Sequence, residues 1–299
     1  MNDAALLEEL TPVVERLLDR HVTRAKEWFP HELVPWERGP EVQPEREWSE
    51  LDTPLGESVR SALYVNLLTE DNLPYYFRDV DHVLGRDGAW GEWTRRWTAE
   101  EGRHSIVLRD YLILTRALDP IALERARMHQ VMTGEVPAPT TAARGFIYLA
   151  MQELATRIAH HNTGKLIEDP VGYEVMKRVA ADENLHFLFY RDLAAAAFEV
   201  DPSTAVIGLE QEVKHFAMPG TGILGFAARA KEIARAGIYD FAVHYDQILV
   251  PVVQRYWNLE RLTSLSSEAD RARESVLAFI ERVGKAARRL ASAQPAAAT

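Results

Sequence analysis

The chain has 299 residues, of which 47% are hydrophobic, and it carries a formal net charge of −11. These values suit one large domain with a sizeable core, exclude a disordered chain, and argue against general nucleic-acid binding, which needs a basic surface. The chain has no cysteine, which excludes disulfides, thiolate metal sites and iron–sulfur clusters. Neither a signal-peptide pattern nor an apolar run long enough to span a membrane occurs, so we expect a cytoplasmic protein.

Helical patterns follow one another through most of the chain. In the first of them, Leu6, Leu10 and Leu17 share one side, which is the spacing of a helix face. The predicted helices, in chain order, are 5–27, 55–82, 90–116, 121–131, 141–166, 169–199, 202–215, 239–258 and 266–291. Alternating strand patterns are scarce, so the sequence predicts an all-α fold built as a helix bundle.

Proline and glycine interrupt this pattern. Residues 30–54 and 133–140 contain several of them and are predicted to be surface connections. Pro74 and Pro251 fall inside predicted helices, and we expect a kink or an irregular turn at each. We expect a single domain over residues 1–292 and a disordered tail over residues 293–299.

Two short segments share the pattern Glu-x-x-His. One contains Glu101 and His104, and the other contains Glu183 and His186. Positions i and i+3 lie on the same helix face, so each pair can reach one metal ion. The pattern alone is weak evidence, because a third copy occurs at residues 212–215, near a predicted helix end, and is interpreted as structural.

A lone glutamate precedes each of the first two pairs by about thirty residues. Glu70 lies before Glu101, and Glu153 lies before Glu183, each lone glutamate within an apolar stretch. The order Glu, Glu-x-x-His, Glu, Glu-x-x-His on four helices is the ligand set of ferritin-like di-iron bundles. We therefore predict a ferritin-like four-helix bundle with additional flanking helices.

A metal pair would explain why these carboxylates are buried together. An unpaired carboxylate in an apolar region is strongly disfavoured, and four of them repel one another unless cations neutralise them. Oxygen and imidazole ligands without thiolate favour two iron ions, with manganese as a substitute, over zinc. The alternative interpretation is four glutamates on solvated faces and two histidines in the core.

Two further acidic residues stand directly before Glu101 and Glu183. We predict that Glu100 and Asp182 each accept a hydrogen bond from a metal-binding histidine and so fix its tautomer. The alternative is that both are ordinary acidic residues on the surface.

Longer segments around these residues carry a resemblance over nearly the whole chain. They read TEDNLP at 69–74, WTAEEGRH at 97–104, QELATR at 152–157, ADENLH at 181–186, MPG at 218–220 and LTSLS at 262–266. In these segments the sequence resembles the soluble acyl carrier protein desaturases of plant plastids and actinobacteria, most of all the mycobacterial-type branch. Gly102 departs from the family pattern, which usually has Asn there, but this is not a ligand position.

The resemblance implies roles for individual residues. Thr156 matches a threonine that assists oxygen activation, the alternative being a hydrogen bond to its own helix backbone. Trp28 and Trp97 match tryptophans near the iron site, Trp28 on a route for electrons, and the alternative for both is core packing. The six metal ligands of the family correspond to Glu70, Glu101, His104, Glu153, Glu183 and His186.

The function implied is the O2-dependent introduction of a double bond into an acyl chain held on acyl carrier protein. Two iron ions would act on two neighbouring CH2 groups, and a ferredoxin-like protein would supply electrons. Tyr76, Gly145 and Phe146 match positions that line the acyl channel of the family. The family is usually homodimeric.

A basic segment just before Trp28 is the predicted docking site for the acidic carrier protein. It contains Arg20, Arg24 and Lys26, and the alternative is a solvated helix face. Other functions stay open at this point: a di-iron monooxygenase or N-oxygenase on the same scaffold, and a non-catalytic relative. Iron storage is disfavoured by the chain length, and a membrane desaturase by the lack of spans and histidine-rich boxes.

Overall fold

The computed structural model describes residues 1–39 and 47–293. Within these ranges no β-strand occurs, which confirms the all-α prediction. The helices are α1 (Asp3–Arg24), α2 (Pro30–Leu33), α3 (Glu57–Glu70), α4 (Leu73–Leu84), α5 (Gly88–Leu114), α6 (Pro120–Thr133), α7 (Ala142–Leu166), α8 (Pro170–Val200), α9 (Pro202–His215), α10 (Phe226–Arg235), α11 (Phe241–His244) and α12 (Ser267–Ala293). The predicted tail lies outside the described residues beyond Ala293, and none of the described helices has the length and apolar character of a membrane span.

Four long helices form the central bundle. Helices α3 and α8 each pack against both α5 and α7, and α1 lies across α5, α7 and α8 on the outside. Local sequence sets where these helices begin. At α8, for example, the Asp169 side chain accepts hydrogen bonds from the amides of Val171 and Gly172, and Pro170 occupies the first turn, where its missing N–H costs nothing.

Two apolar clusters fill the interior, and a polar layer lies between them. Along α5, Trp97 belongs to the first cluster and Val107 belongs to the second. Along α8, Phe187 belongs to the first cluster and Val179 belongs to the second. The buried acidic and histidine side chains therefore lie at mid-length in the bundle.

The predicted helix 55–82 is wrong in one respect, because the structure divides it into α3 and α4. Side chains of α6 hold the break: Arg127 donates to the carboxylate of Asp71 at 2.8 Å, and Gln130 donates to the side-chain oxygen of Asn72 at 2.7 Å. Pro74 then stands in the first turn of α4, where it ends one helix pattern and begins the next without a kink.

The segment 216–258 also differs from the prediction. Helix α10 was not predicted, and it packs against α3. The predicted helix 239–258 begins as α11 and continues as a π-helical stretch, Tyr245–Tyr256, which contains Pro251. Proline has no N–H to donate in a regular ladder, so an irregular stretch at Pro251 is the outcome that its presence predicts.

Candidate metal centre

Six buried side chains from four helices meet at mid-length in the bundle. They form two groups in which the candidate ligand atoms lie within 4.8 Å of one another. Glu101 and Glu183 belong to both groups, so each can reach two metal positions. The groups are Glu70, Glu101, His104 and Glu183, and Glu101, Glu153, Glu183 and His186.

The first group is arranged around His104. Its Nδ1 atom lies 3.2 Å from Oε2 of Glu101, 3.3 Å from Oε1 of Glu183 and 3.7 Å from Oε2 of Glu70. One imidazole nitrogen thus faces three carboxylates that come from three different helices.

The second group repeats this arrangement around His186. Its Nδ1 atom lies 2.8 Å from Oε1 of Glu101, 3.7 Å from Oε2 of Glu153 and 3.9 Å from Oε2 of Glu183. Each half of the repeated sequence motif thus supplies the histidine of one group.

Unsatisfied atoms test whether these residues fit a metal. Nδ1 of His104, Nδ1 of His186 and Oε2 of Glu153 are buried and have no hydrogen-bond partner of normal geometry. Buried polar atoms nearly always have partners, and a cation bound among these carboxylates would supply one to all three atoms. A donor set of carboxylates and imidazoles fits iron or manganese.

Electrostatics point the same way. Burial raises the pKa of Glu153, and the carboxylates of Glu183 and Glu101 raise it further. Burial lowers the pKa of His104 and of His186, but the surrounding carboxylates outweigh burial and hold both pKa values well above the usual value for histidine. All these shifts reflect an excess of negative charge in a buried space, which two divalent cations would neutralise.

The far sides of both histidines face carboxylates in a crossed pattern. Nε2 of His186 lies 3.0 Å from Oε2 of Glu100, which is on the helix of His104. Nε2 of His104 lies 3.4 Å from Oδ2 of Asp182, which is on the helix of His186. Each acidic residue thus stands where it can orient the histidine of the opposite helix and leave Nδ1 free for a metal.

Replacing Asp182 with asparagine should weaken iron binding about 10- to 100-fold, the usual cost of losing a partner of a ligand histidine. Titration of the metal-free protein with ferrous iron measures this affinity. Asp192→Asn is a matched control, because Asp192 is on the same helix but pairs with Arg20 at 2.5 Å, outside the cluster. Equal iron affinities for the two variants would remove Asp182 from the site.

Both predicted tryptophans lie beside the cluster. Nε1 of Trp28 donates to Oδ2 of Asp182 at 2.8 Å, and its ring is parallel to that of His104 with 6.4 Å between centroids. Nε1 of Trp97 donates to Oε1 of Glu153 at 3.1 Å. Trp97 is therefore hydrogen-bonded to a member of the cluster and Trp28 to the carboxylate behind His104, and both indoles are also packed in the core.

The hydroxyl of Thr156 lies near both its own helix backbone and a carboxylate of the cluster. Oγ1 lies 3.0 Å from the carbonyl oxygen of Glu153 on its own helix and 3.2 Å from Oε2 of Glu183. A hydroxyl in this position can pass a proton to or from the Glu183 carboxylate.

Two buried histidines at the site were not predicted. Nε2 of His160 lies 3.2 Å from Oε1 of Glu70, and Nε2 of His21 lies 2.8 Å from Oε2 of Glu100. His160 follows Thr156 by one helical turn, so helical spacing could have found it. His21 is on α1, outside the bundle, and no spacing in the sequence links it to the cluster.

Cavities run past the cluster on the side of Glu70 and Thr156. Tyr76, Gly145 and Phe146, the predicted channel residues, line one apolar cavity together. Tyr76 also lines a small cavity that Glu70 and Thr156 border, and those two residues border a third cavity between α3, α7 and α10. The small cavity shares lining residues with each of the other two cavities, whereas a larger groove near the end of α5 is lined by none of the six predicted ligands.

The predicted docking residues lie elsewhere. Arg24 and Lys26 are exposed, whereas Arg20 is half-buried and donates to Asp192 and to the carbonyl of Leu188. None of the three lines the cavities named above. Their part in carrier docking stays a prediction.

The third Glu-x-x-His pair lies outside the cluster. Glu212 is paired with Arg144, Nε to Oε1, at 2.5 Å, and Nδ1 of His215 lies 3.0 Å from the carbonyl oxygen of Gln211. Neither residue belongs to the two groups around His104 and His186.

Comparison with known proteins gives a family and relatives. A family model described as "Fatty acid desaturase" matches residues 2–299. The chain is 40% identical to DesA1 of Mycobacterium tuberculosis, assigned in its name to the acyl-[acyl-carrier-protein] desaturases, over 94% of this chain and 86% of that protein. It is 32% identical to stearoyl-[acyl-carrier-protein] 9-desaturase 1 of Arabidopsis thaliana, over 87% of this chain and 70% of that protein.

A solved structure is also similar. The X-ray structure of DesA2 from M. tuberculosis, assigned in its title as an acyl-ACP desaturase, superposes with a TM-score of 0.70 at 26% identity. The match covers 87% of this chain and 100% of that one. This match confirms the predicted ferritin-like helical fold.

Proposed function

Because the chain belongs to the fatty acid desaturase family, we propose that it is an acyl-[acyl-carrier-protein] desaturase that introduces a cis double bond into a saturated acyl chain. The observation that carries this proposal is the buried cluster in which two histidine-centred groups share Glu101 and Glu183. Curated relatives named as acyl carrier protein desaturases support the same substrate class.

The cluster would hold two iron ions, with manganese as a substitute. Glu70 and His104 would bind one ion, and Glu153 and His186 the other; Glu101 and Glu183 would lie between them. When bound, the iron pair supplies the activation of O2 that removal of two hydrogens from an unactivated chain requires.

The protein itself would position the acyl chain, exclude water from it and transfer protons. These cavities, which share lining residues, would hold an extended acyl chain beside the cluster, with its end in the apolar cavity lined by Gly145 and Phe146. Thr156 would exchange a proton at its Oγ1 with the Glu183 carboxylate. The hydrogen-bonded series Trp28, Asp182, His104 would connect the cluster to the outside of the bundle for electrons from a ferredoxin-like donor.

Two kinds of protein partner belong to this proposal. Acyl carrier protein would deliver the chain, and a second copy of the enzyme would form a homodimer. Helix α6 supports the dimer, because Ile121, Met128 and Met132 lie on one of its faces and are 62%, 64% and 75% exposed. A cytoplasmic location remains a prediction.

Reversing the charge of Lys26 should raise the apparent KM for acyl carrier protein substrates about two- to fivefold, because one exposed ion pair contributes no more than that. The effect should shrink as salt is added, and kcat should not change. Steady-state kinetics at two ionic strengths measure both quantities. Lys177→Glu, an exposed lysine of α8, is the control, and an unchanged KM in Lys26→Glu would exclude Lys26 from docking.

The proposed reaction is tested by product analysis. Iron-loaded protein is incubated with a reductase, ferredoxin and acyl carrier proteins bearing saturated chains of several lengths, and the released acids are analysed by mass spectrometry. A product lighter by two hydrogens is expected. A product heavier by one oxygen would instead indicate a monooxygenase on the same scaffold.

A further inference from the structure

His21 is buried at the edge of the cluster, although α1 lies outside the four-helix bundle. It is 3% exposed, and its Nε2 atom lies 2.8 Å from Oε2 of Glu100. It makes no contact with the cavities that would hold a substrate. Any role of His21 therefore relates to the cluster and not to binding of the acyl chain.

The shared carboxylate oxygen fixes which atoms carry protons. Oε2 of Glu100 lies 2.8 Å from Nε2 of His21 and 3.0 Å from Nε2 of His186. The other oxygen, Oε1, accepts a hydrogen bond from Nε of Arg96 at 2.5 Å. An ion-paired carboxylate only accepts hydrogen bonds, so both Nε2 atoms donate. A neutral His186 then has its free lone pair on Nδ1, the atom that faces Glu101 and Glu153.

The other half of the cluster has the same construction. Oδ2 of Asp182 accepts hydrogen bonds from Arg103 at 3.0 Å and Trp28 at 2.8 Å. The same oxygen lies 3.4 Å from Nε2 of His104. In each half an arginine, an outer ring donor and a cluster histidine meet on one carboxylate. His21 thus occupies, in the Glu100 half, the place that Trp28 occupies in the Asp182 half.

Ring packing adds orientation to the hydrogen bond. The rings of His21 and His186 are stacked at an interplanar angle of 17° with centroids 5.8 Å apart. The rings of His21 and Trp93 are T-shaped, with centroids 5.0 Å apart and an interplanar angle of 82°. The His186 ring is therefore held by contacts that originate on α1.

We propose that His21 is a positioning residue that acts through Glu100 to hold His186 in the orientation and tautomer needed by the second metal position, so that α1 completes the metal centre. This role rests on the proposed di-iron function. It assigns the two halves different outer donors: an imidazole at Glu100 and an indole at Asp182.

Two substitutions separate the hydrogen bond from ring packing. His21→Phe keeps a ring against His186 and Trp93 but removes the donor to Glu100, and His21→Gln keeps a donor but removes the ring. We expect His21→Phe to lower ferrous iron affinity about 10- to 100-fold at one of the two positions and to change one of the two Mössbauer signals of the loaded protein. We expect His21→Gln to keep an iron affinity and a Mössbauer signal close to those of the wild-type protein. His82→Phe, at an exposed histidine of α4, is the control.

Thermal melting of the metal-free variants identifies a purely structural role. A His21→Phe protein with a lower Tm but wild-type iron affinity and spectrum would overturn the proposal while leaving the desaturase function intact. Wild-type protein that binds no iron would overturn the proposed function and this role together.

Discussion

Replacing Glu183 with glutamine should abolish binding of both iron ions and reduce desaturation by more than about 100-fold, a larger loss than an outer partner of a ligand causes. Glu183 belongs to both ligand groups, and Oε1 lies 3.3 Å from Nδ1 of His104 while Oε2 lies 3.9 Å from Nδ1 of His186. An amide keeps the shape but loses the charge and one acceptor, so neither metal position retains a shared carboxylate at Glu183. Iron content of the purified protein and turnover with an acyl carrier protein substrate measure the effect.

The third Glu-x-x-His pair provides the matched control. Glu212→Gln makes the same change at a buried glutamate whose partner is Arg144 rather than the cluster. It should lower stability but leave iron content at the wild-type level. Equal iron content in Glu183→Gln and Glu212→Gln would contradict the assignment of Glu183 as a shared ligand.

Replacing Gly145 with leucine should shift the enzyme toward shorter acyl chains. Gly145 lines the apolar cavity with Tyr76 and Phe146, and a Cβ atom built on it meets no atom within 4 Å. The leucine side chain can therefore be accommodated. It would fill the part of the cavity in which the end of the acyl chain would otherwise lie. One methylene in an apolar pocket is worth about 1–3 kcal/mol, so kcat/KM for the longest accepted chain should fall about 10- to 100-fold.

The comparison of chain lengths is the decisive readout. Activity on a chain shorter by two carbons should be retained, because the shortened cavity still accepts it. Gly222→Leu is the control, since Gly222 is exposed, has open space around its Cβ position and lines none of these cavities. A uniform loss on all chain lengths would indicate disturbed folding rather than a shortened channel.

The cluster could be predicted from sequence because its geometry is local. Glu101 and His104 share a helix face through three-residue spacing, as do Glu183 and His186, and helical periodicity fixes that relation before any packing. The repeat of the whole motif then required the two halves to face each other across the bundle.

Features that depend on contacts between distant segments could not be predicted. The break between α3 and α4 depends on Arg127 and Gln130 of α6, which bind Asp71 and Asn72. His21 reaches Glu100 only because α1 packs across α5 and α8. Short-range spacing contains no information on either contact, so the long helix was predicted in one piece and His21 was missed.

Anomalous diffraction at the iron edge from crystals of the iron-loaded protein locates the bound metal directly. We expect two iron peaks about 3.5–4 Å apart, the usual separation in two-metal sites, both in contact with Glu101 and Glu183. One peak should lie beside Nδ1 of His104 and the other beside Nδ1 of His186. A single peak, or iron bound away from these residues, would contradict their assignment as the ligands of a di-iron site.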